Sequence, residues 1–485
     1  MLTKEYQLQD VIDAIKAGHR TEAEAVLSHL IELEATKEQD WLQLAAIALS
    51  IGEIQACLAA LKLFRKPKEM GLNQLIQCAG LYAEAGQFEK AITLVQPQAD
   101  KKLPYPAIYH LLGTVKAQLG QLADAKQDLG TALNLSPHLG ITWFTLASLV
   151  NFSKNPTLFE QLQQVYQQHA AATGEDSRHL HYTMAKAYDD RGQWQLAWQS
   201  YQKGAEQVAP LSRYNPDEHT EFTQNLIKQY SAEAQHRLPK NNDATFSPIA
   251  ILGLPRSGTT LLGQMLSCNS QVDGVAELNA MAIACMHLKR EQLSKFPEFI
   301  RQHGNPQAGT EHIAAVYQRV SRQRIPGQSR IIDKALNLTQ YFGIWAQIFP
   351  EAKAVFVHRN DEDIAWSCFK TNFRSQASWS WAPESIAHYM KNERALMTHW
   401  KNLYPEKILQ VEYAELVRNP EQQLKKICQH LNLPFEASML QFYQSKTPVL
   451  TSSLGQVHQP LFQRDFDIAE RYPEFIQRWK SHFTA

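Results

Sequence analysis

The stretch ILGLPRSGTTLLGQML, residues 251–266, holds the most chemically suggestive spacing in the chain. Gly253 and Gly258 stand as far apart as the glycines of a phosphate-binding loop, G-x-x-x-x-G-K-[ST]. Thr259 occupies the lysine position of that pattern, and Arg256 lies inside the loop. An anion cradle needs backbone N–H groups, hydroxyls and a helix N-terminus aimed at one point. Pro255, Arg256, Ser257, Gly258, Thr259 and Thr260 can form one, with Arg256 adding a charge-assisted hydrogen bond. A second constellation is AVFVHRNDEDIAWSCF, residues 354–369. Arg359 follows an apolar run and Ser367 lies eight residues on, so the two can pinch a second phosphate. Arg359 has a competing use, pairing with a nearby acid. Asp361 is expected to cap the helix that carries Ser367. No apolar run ending in a metal-binding aspartate is evident, since AVFVH leads into Arg359. That pattern disfavours magnesium-assisted phosphoryl transfer.

These side chains need elements to hold them. PIAILGL reads as a short buried strand and TLLGQMLSC as the amphipathic helix after the loop, the context that gives the glycine spacing meaning. Further strands are expected at 352–358 and 407–413, with helices at 337–349 and 384–400. Strands alternating with helices imply a parallel sheet covered on both faces, with ligands beyond the carboxyl ends of its strands. Lys334 falls at such an end, where DK closes the short strand RII. His358 and His458 are weak candidates for a base among eighteen histidines. In SQASWSWAPES (375–385), Trp379 and Trp381 read as core residues before a helix starting at Pro383. The less favoured reading makes them an aromatic lid.

The N-terminal half repeats. Gly18, Gly52, Gly86 and Gly120 are spaced by 34 residues, and RGQWQLA restores the pattern at Gly192. A small residue follows five positions after each: Ala23, Cys57, Ala91, Ala125 and Ala197. Ala45, Ala79, Gly113 and Ala185 precede a glycine by seven. Pro137 falls where a second helix should stop, and FSKNPTLF fills the turn of a degenerate copy. This period is that of tetratricopeptide repeats, stacked pairs of antiparallel helices whose curved surface binds peptides or proteins. HRLPKNNDATFSP breaks the helical pattern at the junction.

With 485 residues the chain exceeds one ordinary hydrophobic core. Its 48 basic and 48 acidic residues cancel, against a general affinity for nucleic acid. No apolar run approaches the ~18 residues of a membrane span. The first residues lack the features of a secretory signal. The six cysteines are scattered without a C-x-x-C pair, so reduced thiols and a cytoplasmic location are expected.

Together the two motifs resemble the sulfotransferases that use 3′-phosphoadenosine 5′-phosphosulfate (PAPS). In that family P-[KR]-S-G-T-T binds the 5′-phosphosulfate, and an Arg…Ser pair eight apart binds the 3′-phosphate. LPRSGTT, with arginine, is closer to the protein-tyrosine sulfotransferase branch. The resemblance places a catalytic glutamate at Glu277 and a catalytic lysine at Lys334. It places an adenine-side tyrosine at Tyr413 and a serine assisting at the sulfuryl group at Ser453. Related sequences carry a basic residue where this one has His458 and Gln459. The implied architecture is a tetratricopeptide-repeat α-solenoid (1–235), a junction (236–248) and a P-loop-like α/β sulfotransferase domain (249–485). The implied reaction is in-line attack of an acceptor hydroxyl on sulfur, releasing 3′,5′-adenosine bisphosphate (PAP) with no metal required. Arg256 and Lys334 would stabilise the charge that develops, and Glu277 would take the proton. Tyrosine in a peptide held by the repeats leads as acceptor. A carbohydrate, lipid or small metabolite is the alternative, and an inactive repeat scaffold is the reading of another class. The families that the two halves resemble readily form dimers, so the resemblance makes a homodimer a candidate assembly.

Overall fold

Every glycine of the 34-residue series occupies a left-handed turn, with φ from 72° at Gly192 to 80° at Gly52 and Gly86. In each turn the next residue's N–H reaches back five positions. His19 bonds the Ala14 carbonyl at 2.8 Å, Gln87 bonds that of Tyr82 at 2.8 Å, and Gln193 bonds that of Tyr188 at 2.9 Å. This is a Schellman ending, which needs a residue comfortable at positive φ and satisfies the last helical carbonyls. The turns join Leu8–Lys16 to Arg20–Glu32, Trp41–Ser50 to Ile54–Leu63 and Leu72–Glu84 to Phe88–Asp100. They also join Pro106–Gln118 to Leu122–Leu135 and Glu175–Asp190 to Trp194–Glu206. The degenerate copy pairs Gly140–Ala147 with Pro156–His169 through a short 3-10 turn, Phe152–Lys154. The small residues mark close helix contacts. A methyl at Gly113 would lie 2.6 Å from Leu129 Cγ.

The computed structural model describes residues 6–64, 69–169, 171–231, 246–303, 306–327, 330–373, 375–445, 461 and 467–484. The expected junction falls largely outside them. Two compact units divide the chain, the cut running through strand β1 (Ile249–Leu252). The first holds residues 1–103, 224–250 and 270–353. There β2 (Val272–Ala276) runs parallel to β3 (Arg330–Asp333), with Val275 opposite Ile332 and Ala276 opposite Asp333. On its other side β3 pairs with the start of β1, Ile249 opposite Ile332. The helix Pro306–Arg324 brings Arg319 to the buried Glu53 carboxylate, with Nε and Nη2 at 2.9 and 2.8 Å. Gln323 Nε2 reaches the same carboxylate at 2.8 Å, and the buried Arg20 completes the cluster.

The second unit holds residues 104–223, 251–269 and 354–485. Here β4 (Lys353–His358) pairs in parallel with β5 (Ile408–Glu412), from Ala354 opposite Ile408 to His358 opposite Glu412. Helices Glu175–Asp190, Trp194–Glu206, Asp361–Phe369, Pro383–Leu403 and Pro473–Phe483 share an aromatic core. Trp366 stacks on Tyr472 at 3.7 Å, Trp198 lies 5.4 Å from Phe369, and the Trp198 indole donates to Glu474 at 2.7 Å. Trp379 stacks on Tyr389 at 4.0 Å and Trp381 meets Tyr182 edge-on. Both tryptophans are buried, as the core reading expected, so neither forms an exposed wall.

The expected strands at 352–358 and 407–413 and helices at 337–349 and 384–400 occur with boundaries shifted by up to a few residues. Strand β2 has no clear signature in the sequence. VDGVA carries Asp273 and Gly274 within five residues, and the pairing is irregular between Val272 and Gly274. Among the described residues no helix is long and apolar enough to cross a membrane.

Candidate functional site

The glycine-cornered loop expected to hold an anion belongs to the second unit and follows the carboxyl end of β1. Gly258 caps the helix Thr259–Ser267 with φ 108°, and Thr259 and Thr260 open its first turn. A methyl at Gly258 would stand 2.3 Å from Tyr413 Cδ2, so the loop packs directly on that ring. A methyl at Gly253 would stand 2.6 Å from Ser257 Oγ. Arg256 holds φ 71°, which costs an L-residue about 1–2 kcal/mol. Ser257 is fully buried, and its hydroxyl has no hydrogen-bond partner among the described residues. A strained arginine beside a buried hydroxyl that lacks a partner among the described residues, in a cradle cornered by glycine, suits a bound anion.

Three more expected residues converge on this loop. Arg256 Nε donates to Ser367 Oγ at 3.0 Å, tying the loop to the helix Asp361–Phe369. Arg359, just beyond β4, donates through Nη1 to the Arg256 carbonyl at 3.3 Å. Its guanidinium also lies over the Tyr413 ring, 4.7 Å from the centroid. Tyr413 therefore wedges between Gly258 and Arg359. The competing use of Arg359 is realised as well, since Nη2 meets Asp363 Oδ2 at 3.1 Å. Beneath the loop, burial pushes the Cys368 thiol up to about 12, although the charges of Arg256 and Arg359 act the other way. Its Sγ donates to the Pro255 carbonyl at 3.5 Å.

The helix cap differs from expectation. Asn360, not Asp361, takes the cap position, its side chain accepting the Asp363 N–H at 3.1 Å. Asp361 sits one residue inside and pairs with Arg394. His358 Nδ1 lies 2.7 Å from Glu412 Oε2, because the β4–β5 register sets the two residues opposite each other.

The first unit holds the other expected group. Glu277 directly follows β2 and Lys334 directly follows β3. Since Ala276 is opposite Asp333, the parallel register leaves the next residues side by side. Lys334 N–H bonds the Ala276 carbonyl at 3.1 Å, extending the ladder by one rung. The Lys334 ammonium is almost wholly buried and meets Glu277 Oε1 at 2.7 Å, while the carboxylate stays partly exposed. The partly exposed carboxylate thus offsets the charge of a cation that burial would otherwise disfavour. Ser453, His458 and Gln459 lie outside the described residues. Asp363 and Asn360 were not singled out from sequence. The acid run NDED was the signal for both, but it did not say which member would face Arg359. No group of His, Cys, Asp or Glu among the described residues could hold a metal ion.

Comparison with known proteins agrees on the C-terminal region. Residues 248–437 match the model of the sulfotransferase family. A curated protein of Aquifex aeolicus (strain VF5), described as uncharacterized, is 26% identical over 376 residues. That match covers 75% of this chain and 48% of the relative, so the chain spans about half its length. The sulfotransferase domain of the Synechococcus PCC 7002 olefin synthase is 21% identical, covering 50% of this chain and 97% of that one, with a TM-score of 0.32. Sulfotransferase STF1 of Mycobacterium tuberculosis H37Rv is 14% identical, covering 71% and 98%, with a TM-score of 0.29. Scores this low carry no conclusion about function.

Proposed function

We propose that this chain moves the sulfuryl group of PAPS to an acceptor hydroxyl, and that the acceptor is tyrosine in a peptide bound by N-terminal tetratricopeptide repeats. The observation that carries the donor side is the joining of Arg256, Ser367 and Arg359 around a loop whose buried Ser257 hydroxyl has no partner among the described residues. Two anion-binding groups are what a nucleotide with phosphates at both ends of its ribose requires. The loop would take the 5′-phosphosulfate and Arg359 with Ser367 the 3′-phosphate, Tyr413 lying beside the adenine.

In the proposed step the acceptor oxygen attacks sulfur, and the bond from sulfur to the bridging phosphate oxygen breaks. The hydroxyl proton passes to Glu277, and PAP leaves with the electron pair of the broken bond. Lys334, assisted by Ser453, steadies the transferring group and the leaving phosphate. The ion pair between Lys334 and Glu277 has to loosen for the carboxylate to receive that proton.

Thermal melting with PAP tests the donor site. A hundredfold excess of PAP over its Kd is expected to stabilise the protein by about 2.7 kcal/mol. No rise in melting temperature at millimolar PAP refutes the reading. The acceptor is tested by transfer of labelled sulfate into a host lysate. Label on tyrosine oxygen is expected, and label confined to carbohydrate, lipid or a small metabolite overturns the tyrosine assignment.

A further inference from the structure

One buried group that the proposed reaction leaves unused touches both candidate catalytic segments. Asp333, the last residue of β3, is fully buried. Its Oδ1 accepts the Ala335 N–H at 3.0 Å, and its Oδ2 accepts the Tyr317 hydroxyl at 3.0 Å. The Leu278 N–H bonds the same carboxylate. Leu278 directly follows Glu277, and Ala335 directly follows Lys334. A single side chain thus ties down the backbone just beyond each partner of the ion pair. The tie is itself held, because the buried Tyr317 oxygen accepts the Trp345 indole N–H at 3.4 Å.

We propose that Asp333 is the positioning residue of the Glu277–Lys334 pair, fixing the two backbones at the separation that lets their side chains meet. This deepens the sulfuryl-transfer reading and rests on it. A carboxylate suits the task because it only accepts, through about four lone-pair sites, and three donors converge here. Asparagine would offer one oxygen and turn an N–H₂ toward a donor. Asp333 is also a costly choice for a core. Burial pushes its carboxyl up to about 6, although the Ala335, Tyr317 and Leu278 bonds and the Lys334 charge all act downward. Well-packed apolar residues in place of buried ionised groups are often neutral or stabilising. A costly carboxylate at the end of β3, bonded to the turns beyond both strands, fits a functional demand on the geometry.

Asp333→Asn and Tyr317→Phe separate positioning from simple support. With Asp333→Asn, kcat is expected to fall about a hundredfold, the cost of a displacement near 1 Å in a reacting geometry. Affinity for PAP should hold within about threefold and the melting temperature should not drop, since the change also removes a buried charge. Tyr317→Phe keeps the Leu278 and Ala335 bonds, so its kcat loss should stay under about tenfold. Amide exchange at Leu278 and Ala335 gives an arm independent of turnover, and Asp333→Asn should speed both by about tenfold or more. Unchanged exchange at either amide overturns the positioning role. So does a wild-type kcat, or a kcat lost together with PAP affinity and melting temperature. A wild-type protein that binds no PAP refutes the sulfuryl-transfer reading, while the exchange arm still decides the role of Asp333.

Discussion

Replacing Asp333 by asparagine is expected to flatten the dependence of stability on pH. Burial carries this carboxyl from 3.8 to about 6. Such a displacement corresponds to about 3 kcal/mol. The sign follows from the order of ionisation. As pH rises, the unfolded chain loses this proton first, so the native state is progressively disfavoured. The contribution of Asp333 is intact below its unfolded value, declines from there, and is fully lost once the pH has passed about 6. Between about pH 4.5 and pH 7.5 the wild type therefore gives up roughly 2 kcal/mol that the asparagine variant keeps. Other carboxylates, Glu53 among them, titrate alike in both proteins and cancel in the difference. Urea unfolding of the two proteins at several pH values, followed by tryptophan fluorescence, measures that difference directly. A gap constant to within about 0.5 kcal/mol across the range would mean that the carboxyl is not held in a desolvated site, and the reasoning would fail.

Two other substitutions probe the remaining geometry. Gly258→Ala places a methyl 2.3 Å from the Tyr413 ring at a backbone φ of 108°, so PAP affinity measured by calorimetry should fall at least about tenfold. Unaltered affinity would show that the loop tolerates a side chain there. Glu53→Ala strips the buried Arg20 of its buried partner and removes the anchor of Arg319 and Gln323. A loss of about 3–5 kcal/mol in denaturant unfolding is expected, and a loss under about 1 kcal/mol would contradict the picture of a desolvated ion cluster.

Much of the local structure was legible from neighbouring residues alone. The helix-pair turns depend on glycine at positive φ and a backbone bond five residues back, and both are properties of one short segment. The strand–loop–helix around Arg256 is equally local. Legibility faded where two local solutions compete, as at NDED, where asparagine and aspartate both cap well and Asn360 took the position. It failed at β2, whose Asp273 and Gly274 interrupt any alternating pattern. The helix pairs also gave no sign of where their outer faces are buried. Trp198 and Tyr201 pack on Trp366 within the second unit, a meeting of residues more than 160 positions apart.

By itself the sequence determined the turn chemistry of the helix pairs, the glycine-cornered loop and the apolar runs that become β1, β4 and β5. Each of these depends on torsional preference or periodicity within a few residues. Only the tertiary structure decided that Arg256 bonds Ser367, that Arg359 is shared between Asp363 and the loop, and that Asp333 reaches the turns beyond both β2 and β3. Glu277 and Lys334 are 57 residues apart, and they meet because Ala276 pairs with Asp333 in a parallel register. That register is set by how whole strands and their covering helices pack, and no short window of residues contains it.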